Sequence, residues 1–298
     1  MRIFKGKDGL KLEEIITLKE PRGSSAKVLV SDGQVISWKN DCGEELLFTG
    51  SKTITTPWKA LRGISVWSPQ FRGLETREHP GLTKKIFWTL DNNSQSSVDL
   101  ILKLKVEDLK TWPQSFELRL RISLSAGKLT LIPGLRNTNK KAFPFNLSLR
   151  NYLSVSDISE IRVEGLETLD YLDNLVNKER FTEQADAITF DSKVDRVYLS
   201  TPTKIAIIDH EKKRTFELRK GHLADAVVWN PWERKDKGLH YLDSGEYKNM
   251  LCVESAVIEK PILLQPGNQW NGCQELSIVS SSYYSGQLDP RKVLNGYK

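Results

Sequence analysis

Four histidines, His79, His210, His222 and His240, and three cysteines, Cys42, Cys252 and Cys273, are the side chains most able to carry proton transfer, metal ligation or nucleophilic attack. None of the histidines stands at metal-ligand spacing from another histidine, a cysteine or a carboxylate, so a structural role is expected of each and no metal is predicted. The cysteines form no Cys-x-x-Cys pair. Their small, odd number suggests reduced thiols and a cytoplasmic setting. No Gly-x-Ser-x-Gly, P-loop or Gly-x-Gly-x-x-Gly motif occurs, which leaves serine-hydrolase, nucleotide and dinucleotide chemistry without support and no cofactor expected. One carboxylate differs from its surroundings. Glu254 lies in the apolar run Met250 to Ser255. A carboxylate on such a strand is partly desolvated, and desolvation favours the protonated form. From this context alone Glu254 is equally an ordinary strand residue.

The elements that would position such residues are strands. Phe116 to Leu124 alternates apolar and polar residues without interruption. Ala26 to Val30 leads through Ser31, Asp32 and Gly33 into Gln34 to Trp38, a hairpin with glycine at its turn. Further strands are expected at Leu46 to Phe48, Lys85 to Leu90, Val98 to Leu104, Lys128 to Leu131, Ile161 to Val163 and Arg196 to Leu199. Others follow at Lys204 to Ile208, Arg214 to Leu218, Ala226 to Trp229 and Leu276 to Val279. Short strands at regular spacing, without long helical periodicity, predict an all-β, antiparallel sandwich rather than a βαβ fold.

The 298 residues, 39% of them hydrophobic, fit one large domain over 1–298, with residues 280–298 as a surface tail where the alternation ends. The formal charge of +6 is scattered, its longest run being Lys212-Lys213-Arg214, and favours an anionic ligand only weakly. No nucleic-acid motif accompanies it. No apolar stretch approaches membrane-spanning length and no signal sequence is expected, so neither nucleic acid nor membrane is a predicted partner. The sequons at Asn92 and Asn146 are expected to be chance matches.

Several segments, in order along roughly residues 20 to 290, resemble the aldose 1-epimerase family, in particular its hexose-6-phosphate 1-epimerase branch. Gly33 to Trp38 is similar to the family's opening hairpin. Arg62-Gly63-Ile64, running on to Pro69-Gln70-Phe71, resembles an Arg-Gly-Gly-Ile-Pro segment ending in Pro-Gln-Phe, with one glycine missing. Ser154 to Ser159, Val163 to Leu166, Asp225 to Trp232, Met250 to Glu254 and Pro266 to Trp270 are similar to further family segments. The resemblance implies a galactose mutarotase-like β-supersandwich and interconversion of the anomers of a phosphorylated hexose by ring opening. A glutamate would act as base on the C1 hydroxyl and a histidine as acid on the ring oxygen. By this match Glu254 is the base, Arg62 a phosphate ligand and Asp195 a ligand of sugar hydroxyls. Asp195 could equally be a turn residue before a strand.

Two stretches depart from the pattern. The family's Gln-His-Gly-Phe-Ala-Arg run is here His79-Pro80-Gly81-Leu82-Thr83-Lys84. His79 and Lys84 therefore take substrate-binding positions, Lys84 as a point charge where arginine would bind a phosphate bidentately. The family's Leu-His-Thr-Tyr segment is Leu149-Arg150-Asn151-Tyr152, which places Arg150 at the position of the catalytic acid. A guanidinium remains protonated near neutrality and donates a proton poorly. The expected activity is thus a weakened epimerase, with a non-catalytic binder of sugar phosphates as the alternative. The six residues Arg62, His79, Lys84, Arg150, Asp195 and Glu254 are expected to converge on one cleft.

Overall fold

A computed structural model describes residues 3–6, 9–12, 14–50, 62–70, 87–103, 114–233, 243 and 245–280. Its first strands are β1 (Ile3–Gly6), β2 (Gly9–Leu12), β3 (Ile15–Lys19), β4 (Ser25–Leu29), β5 (Gln34–Lys39), β6 (Ile64–Gln70) and β7 (Thr89–Asn93). The middle of the chain contributes β8 (Ser97–Lys103), β9 (Phe116–Ser125), β10 (Lys128–Asn137), β11 (Phe143–Ser154), β12 (Ile161–Glu164), β13 (Asp170–Asp173) and β14 (Glu179–Thr182). The last are β15 (Val194–Tyr198), β16 (Lys204–Asp209), β17 (Arg214–Gly221), β18 (Asp225–Asn230), β19 (Met250–Leu264), β20 (Gln269–Asn271) and β21 (Cys273–Ser280).

A ten-stranded sheet runs in the order β14-β13-β15-β18-β19-β11-β6-β5-β4-β3. A nine-stranded sheet runs β12-β16-β17-β21-β10-β9-β8-β7, with β20 also on β10. The described strands pair antiparallel, as the alternation in the sequence required. The described helices are single 3-10 turns. No described helix is long and apolar enough to cross a membrane.

The core lies between the sheets. From β9 it takes Phe116, Leu118, Leu120, Ile122 and Leu124, the alternate residues of the strand. They share one buried cluster with Leu149 and Leu153 of β11, Val228 of β18, and Leu251 and Val253 of β19. Asn151 and Gln274, both fully buried, exchange two amide hydrogen bonds of 3.0 and 2.7 Å between β11 and β21. That pair satisfies polar groups that would otherwise be stranded behind the site.

Most expected strands are present. The exception is Leu46 to Phe48, which makes isolated bridges rather than a strand, because Leu47 pairs singly with Leu153 of β11. The start of the Lys85 to Leu90 segment lies outside the described residues, and its described part becomes strand only from Thr89. The hairpin at Gly33 is as expected, with Gly33 at φ +58°. The segment 281–298 lies outside the described residues.

Candidate active site

Because cross-strand neighbours point to the same side, the register of the ten-stranded sheet gives the site directly. Ser65 of β6 faces Arg150 of β11, Arg150 faces Glu254 of β19, and Glu254 faces Val227 of β18. The row continues to Val197 of β15 and Leu172 of β13. Leu149, Val253 and Val228, the next residues along, belong to the core. The row therefore lies on the sheet face turned away from the second sheet.

That face is hollowed into a cleft of about 270 Å³. Arg150, Glu254, Ser148 and Trp67 line its polar side, and Leu172, Val197, Val227, Val257 and Ile258 its apolar side. The Arg150 Nε donates to Glu254 Oε1 at 2.6 Å, and the Ser148 hydroxyl donates to Glu254 Oε2 at 2.8 Å. Both carboxylate oxygens are thus engaged, and Glu254 is only 2% exposed. The Arg150 guanidinium lies 3.8 Å over the Trp67 ring, a cation–π contact that fixes its plane. Burial is the largest single influence on Arg150 and disfavours its charge, but the Glu254 carboxylate, with smaller contributions from Tyr152 and Cys252, holds the guanidinium pKa above the ordinary arginine value. This pair consists of a permanently charged donor and a carboxylate that it holds in place.

Asp195 lies within β15, not in a turn before it. It belongs to the adjacent row of the same face, opposite Trp229, which in turn faces Cys252, itself opposite Tyr152. Two strand spacings and one pleat repeat separate Asp195 from Glu254, roughly 12 Å between α-carbons. Its side chain does not line the cleft but accepts a 2.7 Å hydrogen bond from Asn174, which does. Phe48, Tyr152, Trp229, Met250 and Cys252 pack together beside the Arg150–Glu254 row.

Arg62 bridges to Thr49 just ahead of β6, near the Tyr152 end of that cluster, and does not line the cleft. Its Nε is buried without a hydrogen-bond partner among the described residues. Its neighbour Gly63, at φ +60°, passes so close to β5 that an added Cβ would sit 2.0 Å from the Val35 carbonyl oxygen. His79 and Lys84 lie outside the described residues. Of the six residues expected to converge, Arg150 and Glu254 meet, Asp195 shares their face one row away, and Arg62 stands apart from the cleft.

The lining residues Trp67, Ser148, Asn174 and Lys178 are not singled out as site residues by the sequence. A signal exists for two of them. Period-two alternation puts Ser148 on the face of Arg150, and Trp67 on the face of Ser65. Asn174 and Lys178 come from the loop joining β13 to β14, where Asn177 and Lys178 adopt φ of +51° and +62°. No strand pattern announces them.

Two large antiparallel sheets, with a cleft on the outward face of the larger one, define a galactose mutarotase-like supersandwich. The model of the Aldose 1-epimerase family matches residues 14–277, and the chain belongs to that family. A Cenchrus ciliaris protein named "Putative glucose-6-phosphate 1-epimerase" is 54% identical over 296 residues, covering 95% of this chain and 90% of its own length. A Salmonella typhimurium protein of the same name is 27% identical over 256 residues, covering 83% of this chain and 84% of its own. The crystal structure of a "putative mutarotase (YeaD)" from Salmonella typhimurium superposes with a TM-score of 0.77 at 22% identity, over 89% of this chain and 90% of that one, which shows the shared fold.

Proposed function

We propose that this chain binds a phosphorylated hexose in the cleft and is a strongly weakened hexose-6-phosphate 1-epimerase. The observation that carries this reading is the 2.6 Å ion pair between Arg150 and Glu254. Anomer exchange by ring opening needs a base that removes the C1 hydroxyl proton and an acid that delivers one to the ring oxygen. Glu254 is at hand as the base, but both its oxygens already accept hydrogen bonds from Arg150 and Ser148. Opposite it stands a guanidinium that stabilises charge without exchanging protons near neutrality. General acid–base catalysis contributes about 10²–10⁴-fold, so the expected loss relative to a histidine-bearing family member is of that order. Asp195, held by Asn174, would approach the far end of a sugar lying along the face, and Arg62, His79 and Lys84 are the candidates for contacts beyond the cleft.

The test is the rate of glucose 6-phosphate anomer exchange in wild type, Arg150→His and Glu254→Gln. The wild type is expected to be slow, Arg150→His to be at least about tenfold faster, and Glu254→Gln to be inactive. A wild-type rate equal to that of a histidine-bearing relative, lowered by Arg150→His, would overturn the reading. The second reading, a fully active epimerase, rests on Glu254 lining the cleft and on the name of the 54% identical relative.

A further inference from the structure

We propose that the outer edge of the Arg150 guanidinium is an oxyanion-binding fork, so that the anionic group of the ligand sits in the cleft on Arg150 itself. This inference deepens the reading of the cleft as a sugar site and rests on it. The oxyanion is a phosphomonoester or a carboxylate carried by a sugar.

Of the five N–H groups of Arg150, one is committed, from Nε to Glu254. Neither Nη1 nor Nη2 donates to a described residue, and neither is among the polar atoms sealed from solvent. The side chain is only 10% exposed, and it lines the cleft. Four N–H donors therefore face the cavity wall with no described residue to accept them, free to engage a ligand or water in the cleft. The Trp67 ring, 3.8 Å away, fixes the plane of the guanidinium, so the fork is held before any ligand arrives. Two parallel N–H groups in one plane match the paired oxygens of a carboxylate or phosphate.

The surrounding charges allow it. Glu254 is matched by Arg150 itself, and Glu259, which also lines the cleft, accepts from Arg180 at 3.3 Å. Lys178 also lines the cleft. Vicinal hydroxyls of a neutral sugar can also accept from both arms of the fork, but only an oxyanion makes the contact charge-assisted. The apolar wall of Val197, Val227 and Val257 suits the C–H face of a sugar ring.

The experiment is a calorimetric titration of wild type, Glu254→Gln and the double variant Arg150→Met/Glu254→Gln. The double variant removes both charges together, so no buried charge is left unpaired, and its fold is checked by circular dichroism and thermal melting. The probes are glucose 6-phosphate, glucose 1-phosphate, gluconate, glucose and inorganic phosphate. Wild type is expected to bind at least one anionic sugar about tenfold or more tightly than glucose. Glu254→Gln should keep that preference, since the fork remains. The double variant should lose it, binding anionic and neutral sugars alike. A preference for the phosphate esters over gluconate identifies phosphate as the oxyanion, and the reverse identifies a carboxylate. If the double variant folds and retains the anion preference, the anion is held elsewhere, and the fork is refuted while the sugar reading stands. If inorganic phosphate binds in an Arg150-dependent way and no sugar derivative binds, the fork stands and the sugar reading falls. If no probe binds to wild type, both fall.

Discussion

Replacing Arg150 by methionine removes the partner of a carboxylate that is 2% exposed. Glu254 would keep only the Ser148 hydroxyl at 2.8 Å and a long contact of 3.9 Å from the Cys252 thiol. Removing one member of a buried ion pair costs about 3–5 kcal/mol, because the remaining charge is left uncompensated. Loss of the stack on Trp67 adds about 0.5–2 kcal/mol. Glu254→Gln is the gentler change. Its amide still accepts from Ser148, while Arg150 keeps Trp67 and faces the cleft, so about 1–3 kcal/mol is expected. The double variant removes both charges from a pocket that already has an apolar wall, and its cost should lie within about 1 kcal/mol of the Glu254→Gln change. The singles are therefore far from additive, with a coupling of about 2 kcal/mol or more. Urea unfolding followed by tryptophan fluorescence and far-UV circular dichroism measures all four proteins, at constant m. An Arg150→Met cost below about 1 kcal/mol, or additivity of the single changes, would show that the pair is open to water. Glu254 would then be available as a base, and the reasoning for a weakened enzyme would lose its foundation.

Asn174→Ala removes the 2.7 Å bond to the buried Asp195 and should cost about 1–2 kcal/mol in the same unfolding assay, with weaker binding of the sugar ligand. Gly63→Ala forces a Cβ against the Val35 carbonyl at φ +60° and should cost about 3 kcal/mol or more, read as a fall in urea midpoint. Burial pushes the Lys220 ammonium down to about 8, while its Nζ donates to the carbonyls of Thr201 and Leu223. A lysine whose folded pKa lies below its unfolded value of about 10.4 binds fewer protons folded than unfolded between those limits, so stability rises with pH across that window, by up to about 3 kcal/mol. The difference in stability between about pH 8 and pH 10.5 should be larger in wild type than in Lys220→Met; equal slopes would refute the assignment.

How much of this was legible in the sequence depended on which faces of each strand are covered. β9 alternates because one face packs on the core and the other meets water, and its burial alternates residue by residue. β11 and β19 carry the site and barely alternate. β11 is buried at every position from Phe145 to Leu153, and β19 at every position from Met250 to Val257. One face of each packs into the core and the other lies under the cleft, so both faces select for residues that tolerate burial. The hydrophobic period that marks exposed sheets is erased where the candidate site lies. Leu46 to Phe48 shows the opposite error: an apolar run there inserts into the core as separate bridges rather than as a strand.

The Arg150–Glu254 contact itself could not be read from local pattern, since 104 residues separate the two in sequence and only the β11–β19 register sets them opposite each other. What the family resemblance supplied was the pair of positions; what the structure adds is that they are cross-strand neighbours on a face closed by Trp67. This has a chemical consequence. Any residue at 150 must project beside Glu254, about 5 Å away at the Cβ level. A histidine there could share and exchange a proton with the carboxylate or with a ligand. An arginine at the same point reaches past the carboxylate after its Nε has engaged it, and carries its remaining donors into the cleft. One side-chain change at 150 would thus exchange a proton-relay pair for a charge-bearing fork, without altering the sheet that presents it. On the proposed reading, the loss of proton transfer and the gain of an anion contact follow from one geometry, and Arg150→His should reverse both: anomer exchange of glucose 6-phosphate should rise while the affinity advantage of anionic over neutral sugars falls. A variant that gained activity and kept the full anion preference would show that the two are independent, and would place the anion on a group other than Arg150.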